Sequence, residues 1–284
     1  VRATETETTT EMTSATDRAR LLEEMVTLVQ AAHVEIMQVY ARPFETQLKA
    51  DQSPLTEADL ASHRVLTAGL ERLVPRLPIV SEEGGLPDAA ERATWPAYWL
   101  IDPLDGTKEF LAKNGEFTVN LALIEHSRPT LGVVGVPARD QVFVGDVVSG
   151  IARKRDANGD HALRTRRYSG SAPTIVASRR HGGEQLEGAL KRIEQSEGVP
   201  ELRNVGSALK LCLLAEGEAD LYPRLAPTSE WDTAAAQAVL EAAGGAVLQL
   251  DGDPVTYNKD NILNPEFVAV ADPDANWLRY FSGR

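Results

Sequence analysis

The sequence predicts a mixed α/β fold of the α+β kind, on three observations. Apolar residues between 17 and 40 recur at three- and four-residue steps, the period of an amphipathic helix. Two short apolar runs, at 79–81 and 98–101, stop at carboxylates, as buried strands do when they deliver acids at their C-terminal ends. Three β-rich segments then follow one another between 117 and 148, and beyond 172 strand-like and helix-like segments alternate.

In chain order, residues 1–16 are rich in Thr and Glu and are expected to form a flexible tail outside the fold. The helix over 17–40 lines up Leu21, Leu22, Met25, Leu28, Val29, Ala32, Ile36 and Val39, and Pro43 follows it. Ser53-Pro54-Leu55-Thr56 leads into a second helix running to about Leu73, with Thr56 as N-cap and Asp59 as its capping-box partner. The strands at 79–81 and 98–101 come next, the second followed by a tight turn carrying Asp102 and Asp105. Segments 117–125, 130–136 and 141–148 read as an antiparallel meander, with Ser127-Arg128-Pro129 as one turn. Residues 152–172 are polar and basic with a turn signal at Asn158-Gly159, which places a boundary between a larger half, 17–151, and a smaller α/β half, 152–284. The smaller half is expected to hold strands at 174–178, 202–205 and 221–222 and helices at 183–194, 207–215 and 233–243.

The bulk numbers narrow the function classes. A chain of 284 residues, 43% hydrophobic and 25% charged, can bury a full core. Its net charge of -13 opposes binding to a nucleic acid polymer or an anionic membrane. Cys212 is the only cysteine, so neither an internal disulfide nor a thiolate metal cluster can form, in keeping with a reducing cytoplasm; it sits among leucines as a core residue. There is no run of about 18 apolar residues to span a bilayer and no signal-peptide pattern.

The chemistry concentrates in Asp102-Pro103-Leu104-Asp105-Gly106-Thr107. Two carboxylates three apart can point into one space, Gly106 lets backbone approach a ligand, and Thr107 can open a helix whose free N–H groups hold an anion. Alone, such a run is more often a surface turn. Further acids at Glu82 and Asp232 change the balance, because gathered like charges resist ionisation unless a cation neutralises them. Oxygen donors without His or Cys suit Mg²⁺ beside a phosphate.

Four segments carry a resemblance: Ser53 to Asp59 (SPLTEAD), Ser81-Glu82-Glu83, Asp102 to Phe110 (DPLDGTKEF) and Trp231 to Ala235 (WDTAA). Together and in this order they resemble the signatures of the inositol monophosphatase superfamily over residues 20–270. Within it the chain is most similar to the bacterial CysQ-type 3'(2'),5'-bisphosphate nucleotidases, on Lys108-Glu109-Phe110 in place of Thr-Asn-Phe, on residues 114–120 (NGEFTVN) and on residues 206–224.

The resemblance implies a layered α/β/α/β/α sandwich with its active site between the halves, and the larger half as the metal-binding one. It implies Glu82, Asp102, Asp105, Asp232 and the backbone carbonyl of Leu104 as ligands of two or three Mg²⁺ ions, and removal of the 3'-phosphate of adenosine 3',5'-bisphosphate by metal-activated water. Asp59 is expected to orient Thr107, which holds the attacking water, with Glu83 as a supporting carboxylate. A helix cap by Asp59 is compatible with that role. Glu82, Leu104, Asp105, Gly106, Thr107 and Asp232 would also meet the substrate, joined by His181, Ser207, Lys210 and Arg224 from the second half; Arg179 and Arg180 are weaker candidates, and His33, His63, His126 and His161 receive no role. A place in sulfate assimilation, lithium sensitivity, a monomeric or homodimeric state, and a cytoplasmic location with peripheral attachment to the inner membrane left open complete the expectation. The rivals are an inositol monophosphatase or fructose-1,6-bisphosphatase on the same metal core, and an inactive metal- or nucleotide-binding module. The aspartyl-phosphate route places its two Asp two apart rather than three, and the acids of a Ca²⁺ loop alternate, which residues 102–109 do not provide.

Overall fold

The computed structural model describes residues 15–49, 54–177 and 183–281. Helix α1 (Ala15–Tyr40) buries the expected apolar face, and it begins two residues inside the segment assigned to the tail; residues 1–14 lie outside the described residues. The helix holds from its first turn because Arg18, buried there, donates to Asp146 at 3.0 Å and to Glu125 at 2.9 Å. The short strands β1 (Thr46–Leu48) and β2 (Pro54–Thr56) pair before helix α2 (Glu57–Leu70). The capping box at the start of α2 is present, whereas its end falls three residues before the expected Leu73 as the chain turns toward Pro75.

Strand β3 (Ile79–Ser81), helix α3 (Ala89–Arg92), strand β4 (Ala97–Asp105) and helix α4 (Thr107–Leu111) follow. Strands β5 (Thr118–Glu125), β6 (Arg128–Val136), β7 (Gln141–Asp146), β8 (Ile151–Asp156) and β9 (Gly159–Ala162) then complete a seven-stranded sheet in the order β3-β4-β5-β6-β7-β8-β9. Only β3 and β4 pair in parallel. Three expectations shift here. The turn between β5 and β6 is His126-Ser127, both at positive φ, so Arg128 and Pro129 are already in β6. β4 does not end at residue 101 but runs on through Asp105. β8 and β9, beyond the expected boundary at 151, continue this sheet because β8 pairs with β7 residue for residue.

The remaining chain forms strand β10 (Thr174–Ala177), helix α5 (Gly183–Glu197), strand β11 (Glu201–Asn204), helix α6 (Leu209–Ala215), strand β12 (Leu221–Arg224), helix α7 (Glu230–Ala242), strand β13 (Ala246–Gln249) and strand β14 (Phe267–Val270). The five strands make a second sheet, β11-β10-β12-β14-β13. α7 begins at Glu230 rather than 233, since Ser229 is its N-cap, and β13 and β14 are additions to the expected set.

Alternation along the strands builds the layers. Trp99, Ile101, Leu121 and Val133 face α1 and α2, while Tyr98, Leu100, Ala122 and Val134 face α6 and α7. The middle helices are covered on their other side by Val176, Tyr222 and Phe267 of the second sheet, whose outer residues Ile175, Leu221 and Val268 pack on α5. The order is therefore α/β/α/β/α, as the resemblance implied.

Candidate functional site

The acids converge because β4 carries a bulge at the point where they sit. Asp102 pairs with Asn120 and Asp105 with Thr118, so β4 has one residue more than β5 between the two pairs. The extra residue turns both carboxylates toward the middle layer, which corrects the expected turn leaving the strand: the run is an irregular stretch of strand. Pro103 has no N–H to lose there, and its carbonyl accepts from Ser62 Oγ at 2.7 Å. Gly106 follows at φ 87, a conformation that glycine adopts without strain, and α4 opens at Thr107 as expected.

Asp232 arrives as the third residue of α7 and closes a capping box with Ser229, its carboxylate accepting from the Ser229 N–H at 2.8 Å. One oxygen each of Asp102, Asp105 and Asp232 lies within 4.8 Å of the others. Asp105 is held across the cleft by the Ala208 N–H at 2.7 Å, with Thr118 and Asn120 at longer range. Asp102 accepts from the Leu104 N–H at 3.0 Å through one oxygen, while its other oxygen is buried without a hydrogen-bond partner among the described residues.

This arrangement makes ionisation costly. Burial, then the charges of Glu82, Asp105 and Asp232, hold the Asp102 carboxyl well above the usual range. Burial and Asp105 push Asp232 up to about 8, and burial raises Asp105 against the pull of the Lys210 ammonium. Hard oxygen donors, like-charge crowding and an orphaned buried carboxylate oxygen together fit a divalent cation of the Mg²⁺ type.

The remaining expected residues divide into three groups. Asp59 gives one oxygen to the Thr56 N–H and hydroxyl, at 2.8 and 2.6 Å, and turns the other toward Thr107 Oγ1 at 3.4 Å. One carboxylate thus caps α2 and also faces the Thr107 hydroxyl. Glu82 and Glu83 both accept from Lys49, at 2.7 and 2.5 Å, a contact absent from the sequence reading. Burial lowers the Lys49 pKa, but hydrogen bonds to Glu82 and Glu83 more than offset this and leave it raised. The available signal was weak: a lone lysine four residues ahead of Ser53. His63, given no role, has its Nδ1 at 2.9 Å from Ser81 Oγ and so supports the strand end that carries Glu82.

From the second half, Ser207 sits at φ 48 with its hydroxyl buried and unbonded among the described residues, and Lys210 donates to the Ser207 carbonyl at 2.7 Å. Burial lowers Lys210 to about 8. Arg224 donates to the carbonyls of Ala226 and Pro227, both at 3.0 Å. Arg179, Arg180 and His181 lie outside the described residues. A cavity of about 200 Å³ joins Asp105, Lys108, Ser207, Lys210, Arg224 and Asp232, so cations and acids from both halves line it together. Also unforeseen were the Glu116 carboxylate, which accepts from the Gly206 N–H at 3.0 Å, and Tyr222, whose ring lies 5.5 Å from the Lys210 ammonium.

Comparison with known proteins gives the same direction. The sequence profile of the inositol monophosphatase family matches residues 17–275. The chain is 43% identical to the 3'(2'),5'-bisphosphate nucleotidase CysQ of Escherichia coli over 250 residues, which cover 87% of this chain and 98% of that one. Among solved structures, CysQ from Bacteroides thetaiotaomicron superimposes with a TM-score of 0.78 at 35% identity, over 88% of this chain and 97% of that one. An inositol monophosphatase from Zymomonas mobilis shares the fold at 24% identity with a TM-score of 0.74, over 95% of this chain and all (100%) of its own.

Proposed function

The chain belongs to the inositol monophosphatase family, and from that premise we propose that it is a Mg²⁺-dependent phosphomonoesterase that hydrolyses adenosine 3',5'-bisphosphate to AMP and phosphate. The observation that carries the reading is the meeting of Asp102, Asp105 and Asp232 beside a cavity whose lining holds Asp105 and Asp232 together with Lys108, Lys210 and Arg224. The acids suit cations that bind a phosphate, and the basic groups suit a substrate with a second phosphate.

In this reading Glu82, Asp102, Asp105, Asp232 and the Leu104 carbonyl hold two or three Mg²⁺ ions, which when bound supply charge neutralisation of the phosphate and acidify a bound water. Asp59 accepts the Thr107 hydroxyl proton through its free oxygen, so that the Thr107 oxygen keeps a lone pair for the attacking water. The water oxygen bonds to phosphorus as the bond from phosphorus to the ribose 3'-oxygen breaks; one water proton ends on the departing 3'-oxygen, giving AMP, and the other stays on the released phosphate. Gly106 and Thr107 offer backbone N–H groups at the opening of α4. Lys49 must share Glu82 and Glu83 with any cation that Glu82 joins, and Glu83 then keeps the lysine near. Ser207, Lys210 and Arg224 shape the nucleotide end of the cavity, with His181 as a further candidate. The role belongs with sulfate assimilation, and the site is expected to be lithium-sensitive. The reading places the protein in the cytoplasm as a monomer or homodimer; no helix among the described residues is long and apolar enough to cross a membrane.

The test is a comparison of adenosine 3',5'-bisphosphate with inositol 1-phosphate, with Mg²⁺ and with added Li⁺. The bisphosphate should be preferred, turnover should require Mg²⁺, and Li⁺ should inhibit. Preference for inositol 1-phosphate would move the chain to the other branch of its family.

A further inference from the structure

Two buried charges away from the cavity grip the same short stretch of backbone from opposite ends. Arg92, on α3 in the segment between β3 and β4, is 2% exposed and donates through all three of its side-chain nitrogens. Its acceptors are the Pro87 carbonyl, Asn258 Oδ1 and the carbonyls of Lys259 and Asp260, at 3.1–3.3 Å. Asn258 returns a hydrogen bond from Nδ2 to the Arg92 carbonyl at 2.8 Å. Glu230, the first residue of α7 and fully buried, accepts from the N–H groups of Asn258 and Lys259 at 2.8 and 3.0 Å and from the Lys259 ammonium at 2.6 Å. Residues 258–260 thus turn N–H groups to a carboxylate and carbonyls to a guanidinium, and such charge-assisted hydrogen bonds are stronger than neutral ones.

The same loop runs on beside the start of α7, where the Glu230 N–H donates to the Ile262 carbonyl at 2.9 Å and Asn264 Nδ2 to the Ser229 carbonyl at 2.8 Å. Glu230 and Asp232 are the first and third residues of the helix, about 200° apart around its axis. The loop therefore holds the first turn from the side away from the cavity, and Asp232 takes its place through the backbone. Arg92 belongs to the chain that leads from Glu82 to Asp102, whereas the loop and α7 belong to the smaller half, so its contacts register one set of acids against the other. A buried charge is a weak source of stability but a strict one of geometry, because a guanidinium fork fits few arrangements of acceptors. We propose that Arg92 is a positioning residue for Asp232: acting through residues 258–260 and Glu230, it sets the first turn of α7 so that the Asp232 carboxylate meets those of Asp102 and Asp105 around a cation, an assignment that rests on the Mg²⁺ reading above.

The experiment titrates Mg²⁺ into the substrate-free protein by calorimetry, for wild type, Arg92→Met, Arg92→Lys, Asn258→Gly and Ile193→Ala, well below the melting temperature of each. Ile193 lies in the core under α5, outside the second sheet, and its truncation reports on loss of stability alone. Asn258 stands at φ 64, which glycine adopts without strain, so Asn258→Gly removes only the side-chain bonds to Arg92. Mg²⁺ affinity should fall about tenfold in Arg92→Met, the lower end for groups that act on a metal ligand indirectly, and about threefold in Asn258→Gly. Arg92→Lys should recover part of the loss, since an ammonium keeps the charge but not the fork. Ile193→Ala should bind Mg²⁺ as wild type does. Wild-type affinity in Arg92→Met and Asn258→Gly, or an equal loss in Ile193→Ala, overturns the assignment; should Arg92→Met fail to fold, Asn258→Gly decides alone. A wild-type protein that does not bind Mg²⁺ overturns the cation reading itself, and the assignment of Arg92 with it.

Discussion

At the scale of single residues, Asp102 states the logic of the site most sharply. One of its oxygens is used internally by the Leu104 N–H and the other is buried and unbonded among the described residues. Asp102→Asn keeps the internal hydrogen bond and removes only the charge, so the fold should survive. Turnover should drop by more than the roughly 10- to 100-fold that loss of a supporting partner costs a metal site. In metal-free buffer the melting temperature should be unchanged or higher, because one of several crowded carboxylates is gone. A variant that turns over near the wild-type rate would remove Asp102 from the proposed ligands. Asp102, Asp105 and Asp232 were all legible as acids in a pattern. Lys49 was not, since its partners Glu82 and Glu83 are more than 30 residues away and nothing local marks a lysine that will bridge them.

At the scale of elements, the placement of α7 decides where Asp232 stands. Gly132 of β6 and Gly145 of β7 are cross-strand partners, and together they leave a groove in the sheet that receives the alanine-rich face of α7. A Cβ on Gly145 would lie 2.6 Å from Val239 Cα and 2.7 Å from the Ala238 carbonyl oxygen, contacts that only movement of the helix backbone can relieve. Gly145→Ala should therefore destabilise the protein by about 1–3 kcal/mol, the usual cost of overpacking. It should also lower activity more than a distant variant of equal stability, because α7 carries Asp232. Chemical denaturation alongside an activity assay checks both, and a neutral substitution would contradict the packing argument. Helical periodicity located α1 and α2 to within a few residues. It did not show that β4 continues through a bulge, because Asp-Pro-x-Asp-Gly has the composition of a turn and only the pairing with β5 makes it strand.

At the scale of the whole molecule, the two sheets and their shared middle layer hold a cluster of acids that are raised when buried together, and this couples stability to pH and to cation. A carboxyl whose folded pKa exceeds its unfolded value contributes stability that is full below about pH 4 and lost as pH rises through the folded value, about 8 for Asp232. In chelator, the contribution of these acids should weaken between pH 5 and pH 8. Mg²⁺, which favours the ionised forms, should raise the melting temperature more at pH 8 than at pH 5. Thermal melts with Mg²⁺ or chelator across that range test this, and a pH-independent increment would argue against cation binding by the cluster. The boundary expected at residue 151 illustrates the limit of local reading: β8 and β9 look polar because they lie at the sheet edge, yet their hydrogen bonds belong to the first sheet. The amino-acid sequence by itself determined the mixed α/β class, the main helices, the four acidic segments and, through them, the family, since these depend on local periodicity and on motifs a few residues long. The tertiary structure alone decided which oxygens of those acids meet, that Lys49 bonds Glu82 and Glu83, and that Lys210 and Arg224 join Asp105 and Asp232 in one cavity lining. Each of those outcomes depends on contacts between residues far apart in the chain, which no local pattern encodes.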